Sequence, residues 1–147
     1  MTEYVVIAPR GWPEKVPPPG AEGWQERAVG WLLDRAAPGW SRYADFWRTH
    51  PQLLARLVLQ ERQAVVPELR RGYSTARLDF KDQLEPHQVE QILEWYATEG
   101  PRAVGEVRQV QLVCDALQGV RWRPTSALPG SVPARRWPRT AGPRSSR

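Results

Sequence analysis

The stretch that decides the fold is PHQVEQILEWYATEGPRAVGEVRQVQLVCDALQ, residues 86–118. Its apolar and glycine positions recur at alternating intervals of four and three residues, which places them on one stripe of an α-helix. The members of this seam are Val89, Leu93, Tyr96, Gly100, Ala103, Val107, Val110, Cys114 and Leu117. A heptad pattern held over this length predicts a long helix that packs against another helix, as in a coiled coil.

The partner helix is predicted just before this segment, from Pro51 to Leu84. Its apolar residues recur every 11 positions, which is three turns of a nearly straight helix, so they share a face. The two series are Leu54, Val65 and Ala76, and Val58, Leu69 and Phe80. Thr49 is expected to cap the start of this helix, with Gln52 reaching back to the cap residue.

The joint between the two helices is short. Leu84 precedes Glu85-Pro86, and proline is well placed as the first residue of a new helix. So short a connection makes the helices antiparallel neighbours. Residues 51–84 carry six basic and four acidic side chains, whereas residues 85–118 carry two basic and six acidic ones, so the charges favour the pairing modestly. Pro67 and Pro101 lie at nearly the same height, where we expect both helices to bend.

The rest of the chain is expected to complete a small bundle. A helix from about Glu22 to Ala36 and a short helix capped by Ser41 are rich in tryptophan, and they are predicted to cover one end of the hairpin. Four tryptophans are assigned to the core by their positions: Trp24, Trp31, Trp47 and Trp95. The predicted fold is therefore all-α, with a proline-rich extended lead-in (1–20), a helical domain (21–119) and a disordered Arg/Pro-rich tail (120–147).

The net charge of +5 belongs to the tail. Of the 21 lysines and arginines, seven lie from Arg121 onward, where there is no acidic residue, so residues 1–120 hold 14 basic against 16 acidic side chains. The apolar run at the N-terminus is too short for a secretory signal, and no uncharged stretch could span a bilayer. With a single cysteine, Cys114, no internal disulfide can form. We therefore expect a cytoplasmic protein that does not insert into membranes.

No catalytic, cofactor-binding or metal-binding signature is present. The two histidines, His50 and His87, sit at helix starts, and neither belongs to a His-x-x-His or Glu-x-x-His pattern. The serines lack a nucleophile-elbow context, and there is no phosphate-binding glycine pattern. Cys114 lies on the helix seam, where a cysteine acts as a small apolar residue. We therefore expect no enzyme activity and no cofactor; the alternative, an enzyme with an unrecognised site, would require a concave pocket with converging polar groups.

Two binding hypotheses remain. The preferred one is a noncatalytic interaction or scaffold protein that binds a protein partner or itself. Trp12 and Trp122, with Arg121 and Arg123, are candidate contact residues because tryptophan and arginine often anchor interfaces; for both tryptophans, docking within the molecule is an equal alternative. The second hypothesis is nucleic-acid binding through the tail. Arginines there can neutralise phosphates, and a tryptophan can stack on a base. The residues concerned are Arg135, Arg136, Trp137 and Arg139.

Overall fold

The computed structural model describes residues 7–123 of the chain. Within this range the regular structure is entirely helical, and no β-strand is formed. Helix α1 runs over Trp24–Arg35, a 3₁₀ helix over Pro38–Tyr43, α2 over Ala44–Thr49, α3 over Pro51–Phe80 and α4 over Pro86–Leu117. The all-α prediction is confirmed for the described residues.

Helices α3 and α4 form the predicted antiparallel hairpin. Every member of the α4 seam is buried or partly buried, so the heptad pattern identified the packed face correctly. Pro86 is the first residue of α4, and the helix starts with a capping box. The Glu85 side chain accepts the Gln88 backbone N–H, and the Gln88 side chain accepts the Glu85 backbone N–H in return. Gly119, with φ of +101°, follows the end of α4 in the left-handed conformation that glycine adopts without strain.

Four details at the helix ends correct the sequence predictions. Thr49 does not cap α3: its hydroxyl donates to the Phe46 carbonyl, and the residue before the helix is His50. The Gln52 side-chain amide instead donates across the hairpin to the carbonyl of Leu117, the last residue of α4 (2.9 Å). Ser41 lies within the 3₁₀ helix and donates to the Pro38 carbonyl rather than capping α2. Helix α3 ends at Phe80, because residues 81–83 form a turn in which Leu84 donates to the Phe80 carbonyl.

The hydrophobic core consists of two separate clusters. The larger, which we call the proximal cluster, joins α1 and α2 to the start of α3 and the end of α4, around Leu32, Leu54, Val58 and Val110. The smaller, the distal cluster, lies next to the turn and consists of Ala76, Val89 and Leu93 with the partly buried Phe80, Leu84, Ile92 and Tyr96. Helices α1 and α2 thus cover only one end of the hairpin, as the sequence indicates.

The lead-in packs on the proximal cluster. Val16 is buried within it, and Pro13, Pro17, Pro18 and Pro19 are buried beside it. The Trp12 indole N–H donates to the Val16 carbonyl (2.8 Å), which closes the segment into a compact turn. Proline rings are apolar and lose little conformational freedom on folding, so a proline-rich segment can contribute to a core without forming a helix.

The stretch of hairpin between the two clusters has no buried residue. It comprises residues 60–75 of α3 and 94–109 of α4, and we call it the hairpin middle. Two core assignments fail here. Val65 is 38% exposed although it lies on the predicted stripe, and Trp95 is 54% exposed although it was assigned to the core. Pro67 and Pro101 both lie within this stretch, inside continuous helices.

The Tyr96 ring of α4 packs directly against Gly72 of α3. A Cβ atom added at Gly72 would stand 2.7 Å from Cε1 of the Tyr96 ring. We expect Gly72→Ala to lower the free energy of unfolding by about 1 kcal/mol, because displacing the ring costs about 1–3 kcal/mol and exceeds the gain of about 1 kcal/mol in helix propensity. In Gly105→Ala, the matched control, the new Cβ would meet nothing within 4 Å. Urea denaturation should show that the control variant is more stable than the wild type. A change in the free energy of unfolding that has the same sign for both variants would contradict the close contact.

Candidate functional site

Trp12, Trp24 and Trp122 meet at the proximal end of the molecule. The ring centroids of Trp12 and Trp122 lie 6.0 Å apart in an edge-to-face arrangement, and those of Trp12 and Trp24 are 6.4 Å apart. The Arg121 guanidinium lies 5.2 Å from the Trp24 ring and donates to the Ala116 carbonyl at the end of α4. Trp24 is buried, and the other two rings are partly buried. We call this group the tryptophan cluster.

The tryptophan cluster shows where the predicted contact residues lie. Trp12 and Trp122 dock on each other within the molecule, and Arg121 is also engaged with the folded part. Arg123 is exposed next to them. The structure brings these four residues together at one end, while their part in binding a partner stays a prediction. The tail residues assigned to nucleic acid (Arg135, Arg136, Trp137 and Arg139) lie outside the described range.

A charge cluster that no sequence pattern indicated joins three helices. Glu106 of α4 contacts Arg35 of α1 (Oε1 to Nε, 3.4 Å) and Arg62 of α3 (Oε2 to a terminal guanidinium nitrogen, 3.3 Å). Arg62 also donates to the Arg35 carbonyl, and the Arg35 guanidinium stacks on the Trp31 ring at 3.8 Å. Burial lowers the pKa of Arg35, and the Glu106 carboxylate partly offsets that effect. This arrangement holds α1 against the hairpin, and the Nε atoms of Arg35 and Arg62 are buried without a hydrogen-bond partner among the described residues.

A shallow groove of about 440 Å³ runs along the hairpin middle between α3 and α4. Its lining consists of Leu69, Arg70, Tyr73, Ser74, Tyr96, Ala97 and Gly100. Tyr73 is 51% exposed at its edge, and Val104, one heptad beyond Ala97 on the same face of α4, is 47% exposed. The groove has apolar walls and a basic residue on its α3 side, but it lacks converging acid–base groups.

A second apolar surface is formed by α2. Phe46 is exposed and lies 4.7 Å from the His50 ring and 4.9 Å from the Trp47 ring, while Tyr43 is exposed one turn earlier. Trp47 is buried, stacks on Trp40 and donates from its indole to the Trp40 carbonyl (3.2 Å). The aromatic residues here are therefore mainly explained by the packing of a short helix.

Metal and nucleophile chemistry find no support in residues 7–123. No group of three or more histidine, cysteine, aspartate or glutamate side chains in that range is arranged to hold a metal ion. His87 is exposed beside the turn, and Cys114 is buried in the proximal cluster, as its seam position predicted.

Because of Cys114, we expect the free energy of unfolding to fall as the pH becomes alkaline. Burial, with a smaller effect from the Asp115 carboxylate, raises the pKa of the thiol above its ordinary value. The unfolded chain therefore loses this proton at a lower pH than the folded chain does. The stabilising contribution is complete below the unfolded pKa and is lost as pH rises toward the folded pKa. Urea denaturation at about pH 7 and about pH 9.5 should show a smaller loss of stability for Cys114→Ala than for the wild type, and equal losses would contradict this assignment.

None of the helices in residues 7–123 is both long and apolar enough to cross a lipid bilayer. Comparison with protein-family models finds no match, and comparisons with curated proteins and with solved structures find no significant similarity. The surfaces of the molecule itself are therefore the guide to its function, and the hairpin middle with its groove is the most distinctive of them.

Proposed function

We propose that the protein is a noncatalytic interaction protein, and that its partner-binding surface is the groove face of the hairpin middle. The observation that carries the proposal is that residues 60–75 and 94–109 form two paired helices without a single buried residue. Two helices alone shield little apolar surface from water, and long helices gain most of their stability from packing. A partner on this face would supply the missing contact.

The composition of the face supports the proposal. Tyr73 lines the groove on α3, and Val104 lies one heptad beyond the groove residue Ala97 on α4; both are large apolar side chains that are about half exposed. Tyrosine is a frequent anchor of protein interfaces, because it buries much area with little loss of conformational freedom. Neighbouring Gly100 and Ala97 keep the floor of the groove low, so that an incoming side chain can reach the helix backbone.

The proposal is tested by affinity capture from the native host with the full chain as bait. The informative variant is Tyr73→Glu combined with Val104→Glu, and the matched control is Leu53→Glu combined with Leu78→Glu, two exposed leucines outside the groove. We expect the wild type and the control to retain the same proteins and the groove variant to lose them. Equal retention by all three baits would overturn the proposal, as would a wild type that neither retains a protein nor associates with itself.

Nucleic-acid binding through residues 121–147 stays the alternative, and it is supported by sequence alone. The same captures repeated with nuclease separate it from protein contact. Retention of nucleic acid that is released steeply by salt and lost when residues 124–147 are removed would favour it.

A further inference from the structure

We infer that the partner of the groove face is a second copy of this chain, packed so that α3 of each copy lies on α4 of the other. The inference rests on the proposed function and names the partner at the same surface. It follows from the distribution of charge across the groove.

The groove face is basic on its α3 side and acidic on its α4 side. Arg70 lines the groove, and Arg77 lies seven residues further along the same face of α3. Glu90 and Glu94 precede the groove residue Ala97 by seven and three positions, so they share its face of α4. Arg77 and Glu90 pair with each other across the hairpin (2.6 Å).

Arg70 and Glu94 are left without an ion-pair partner among the described residues. The contacts of Gly72 with Tyr96 and of Arg77 with Glu90 set the register of the hairpin, and they place Glu94 about one helical turn, roughly 5–6 Å, nearer the turn than Arg70. Each copy therefore presents an unpaired positive charge on one helix and an unpaired negative charge on the other. A surface of this kind is complementary to itself.

Symmetry allows two face-to-face arrangements, and the charges select one of them. Two identical hairpins can pack face to face about a two-fold axis that runs either along the helices or across them. An axis across the helices, at the level between Arg70 and Arg77, places α3 on α3 in the opposite direction and brings Arg70 of each copy near Arg77 of the other. An axis along the helices places α3 on α4 of the other copy, so that Arg70 faces Glu94 twice. Like charges at an interface are strongly unfavourable, so the second arrangement is selected.

The size of the face indicates a weak dimer. Two helices side by side are about 20 Å wide. The two turns from Arg70 to Arg77, with about one turn on either side, are about 20 Å long, which gives roughly 400 Å² per copy. A stable complex commonly buries about 800 Å² per partner. We therefore expect a dissociation constant on the order of 10–100 μM, so that the protein is fully dimeric only at high concentration.

The test is sedimentation of the full chain over a range of concentrations, with two charge reversals. Arg70→Glu and Glu94→Arg should each weaken the dimer at least about tenfold, because symmetry repeats each repulsion twice. An equimolar mixture of the two variants should recover wild-type association. In the mixed dimer the introduced glutamate of one variant faces the introduced arginine of the other, and the native pair is kept on the opposite side. Arg71→Glu, an adjacent reversal whose residue pairs with Glu68 instead, is the control and should dimerise like the wild type.

Each contrary outcome identifies what has failed. A wild type that is monomeric at millimolar concentration, or a mixture that stays monomeric, overturns the two-fold arrangement. If the wild type is monomeric but captures a different protein through Tyr73 and Val104, the dimer is overturned and the proposed function stands. If it neither dimerises nor captures a protein, both are overturned.

Discussion

Replacing Leu32 by alanine is expected to lower the free energy of unfolding by about 3 kcal/mol. Leu32 is fully buried in α1, at the centre of the proximal cluster where α1 meets the hairpin. The substitution removes three buried carbon atoms. It leaves a cavity, because the other contacts of α1 prevent the helix from moving in to fill the space. A small domain has only about 5–15 kcal/mol of stability, so the loss is a large fraction of the total. It should lower the melting temperature by roughly 10 °C.

The same substitution at Leu78 is the matched control. Leu78 is 69% exposed on α3, and removing its side chain should change stability by less than about 0.5 kcal/mol. Urea denaturation followed by far-ultraviolet circular dichroism measures both variants. Similar stabilities for the two would mean that α1 does not pack on the hairpin as described.

The second large effect is expected at Glu106. Glu106→Gln keeps the shape of the side chain but leaves Arg35 and Arg62 without their shared countercharge in a partly buried site. Removing one partner of a fully buried ion pair costs about 3–5 kcal/mol. Because these side chains keep some contact with water, we expect about 2 kcal/mol. Part of this loss should be recovered at high salt, which screens the repulsion between the two arginines.

Two comparisons isolate the cause. Glu90→Gln breaks the exposed pair with Arg77, and it should cost only a few tenths of a kcal/mol. The double variant Glu106→Gln with Arg62→Gln should be less destabilised than the sum of the two single variants, because the repelling charge is removed as well. Strict additivity, or equal effects at Glu106 and Glu90, would contradict the shared role of Glu106.

The sequence predicted the hairpin because its signals are local. The three–four spacing of the α4 seam, the proline at the first position of α4 and the glycine after its end each act within a turn or two of helix. Such signals do not depend on what the rest of the chain does. The positions of α1 and α2 over one end of the hairpin followed from the need to cover apolar surface.

The features that were missed depend on contacts between distant parts of the chain. Gln52 had a plausible local partner, but in the folded protein it binds the end of α4, 65 residues away. Trp95 has an apolar side chain at a position consistent with the core, yet it is 54% exposed, because it lies away from the end of the hairpin that α1 and α2 cover. The Arg35, Arg62 and Glu106 cluster joins three helices, and no spacing along the sequence indicates it.

The candidate site shows the same division. The sequence identified tryptophans and arginines as contact residues from composition, and the structure places Trp12 and Trp122 against each other. The groove face was not foreseen, because its recognition requires knowing which seam residues remain uncovered. Tyr73 lies outside the predicted apolar stripes and carried no signal that it would flank a groove.

The division of the core into two clusters has a consequence for how the protein loses its structure. The proximal and distal clusters are connected only by the hairpin middle, which has no buried residue. Each end can therefore unfold separately if unfolding at one end does not spread along the two helices. Among the described tryptophans, Trp95 alone lies away from the proximal end. Indole fluorescence therefore reports mainly on that end, whereas circular dichroism senses both. The difference between the unfolding midpoints measured by fluorescence and by circular dichroism shows how far cooperativity extends along the hairpin. A partner bound to the hairpin middle would bring the two midpoints together.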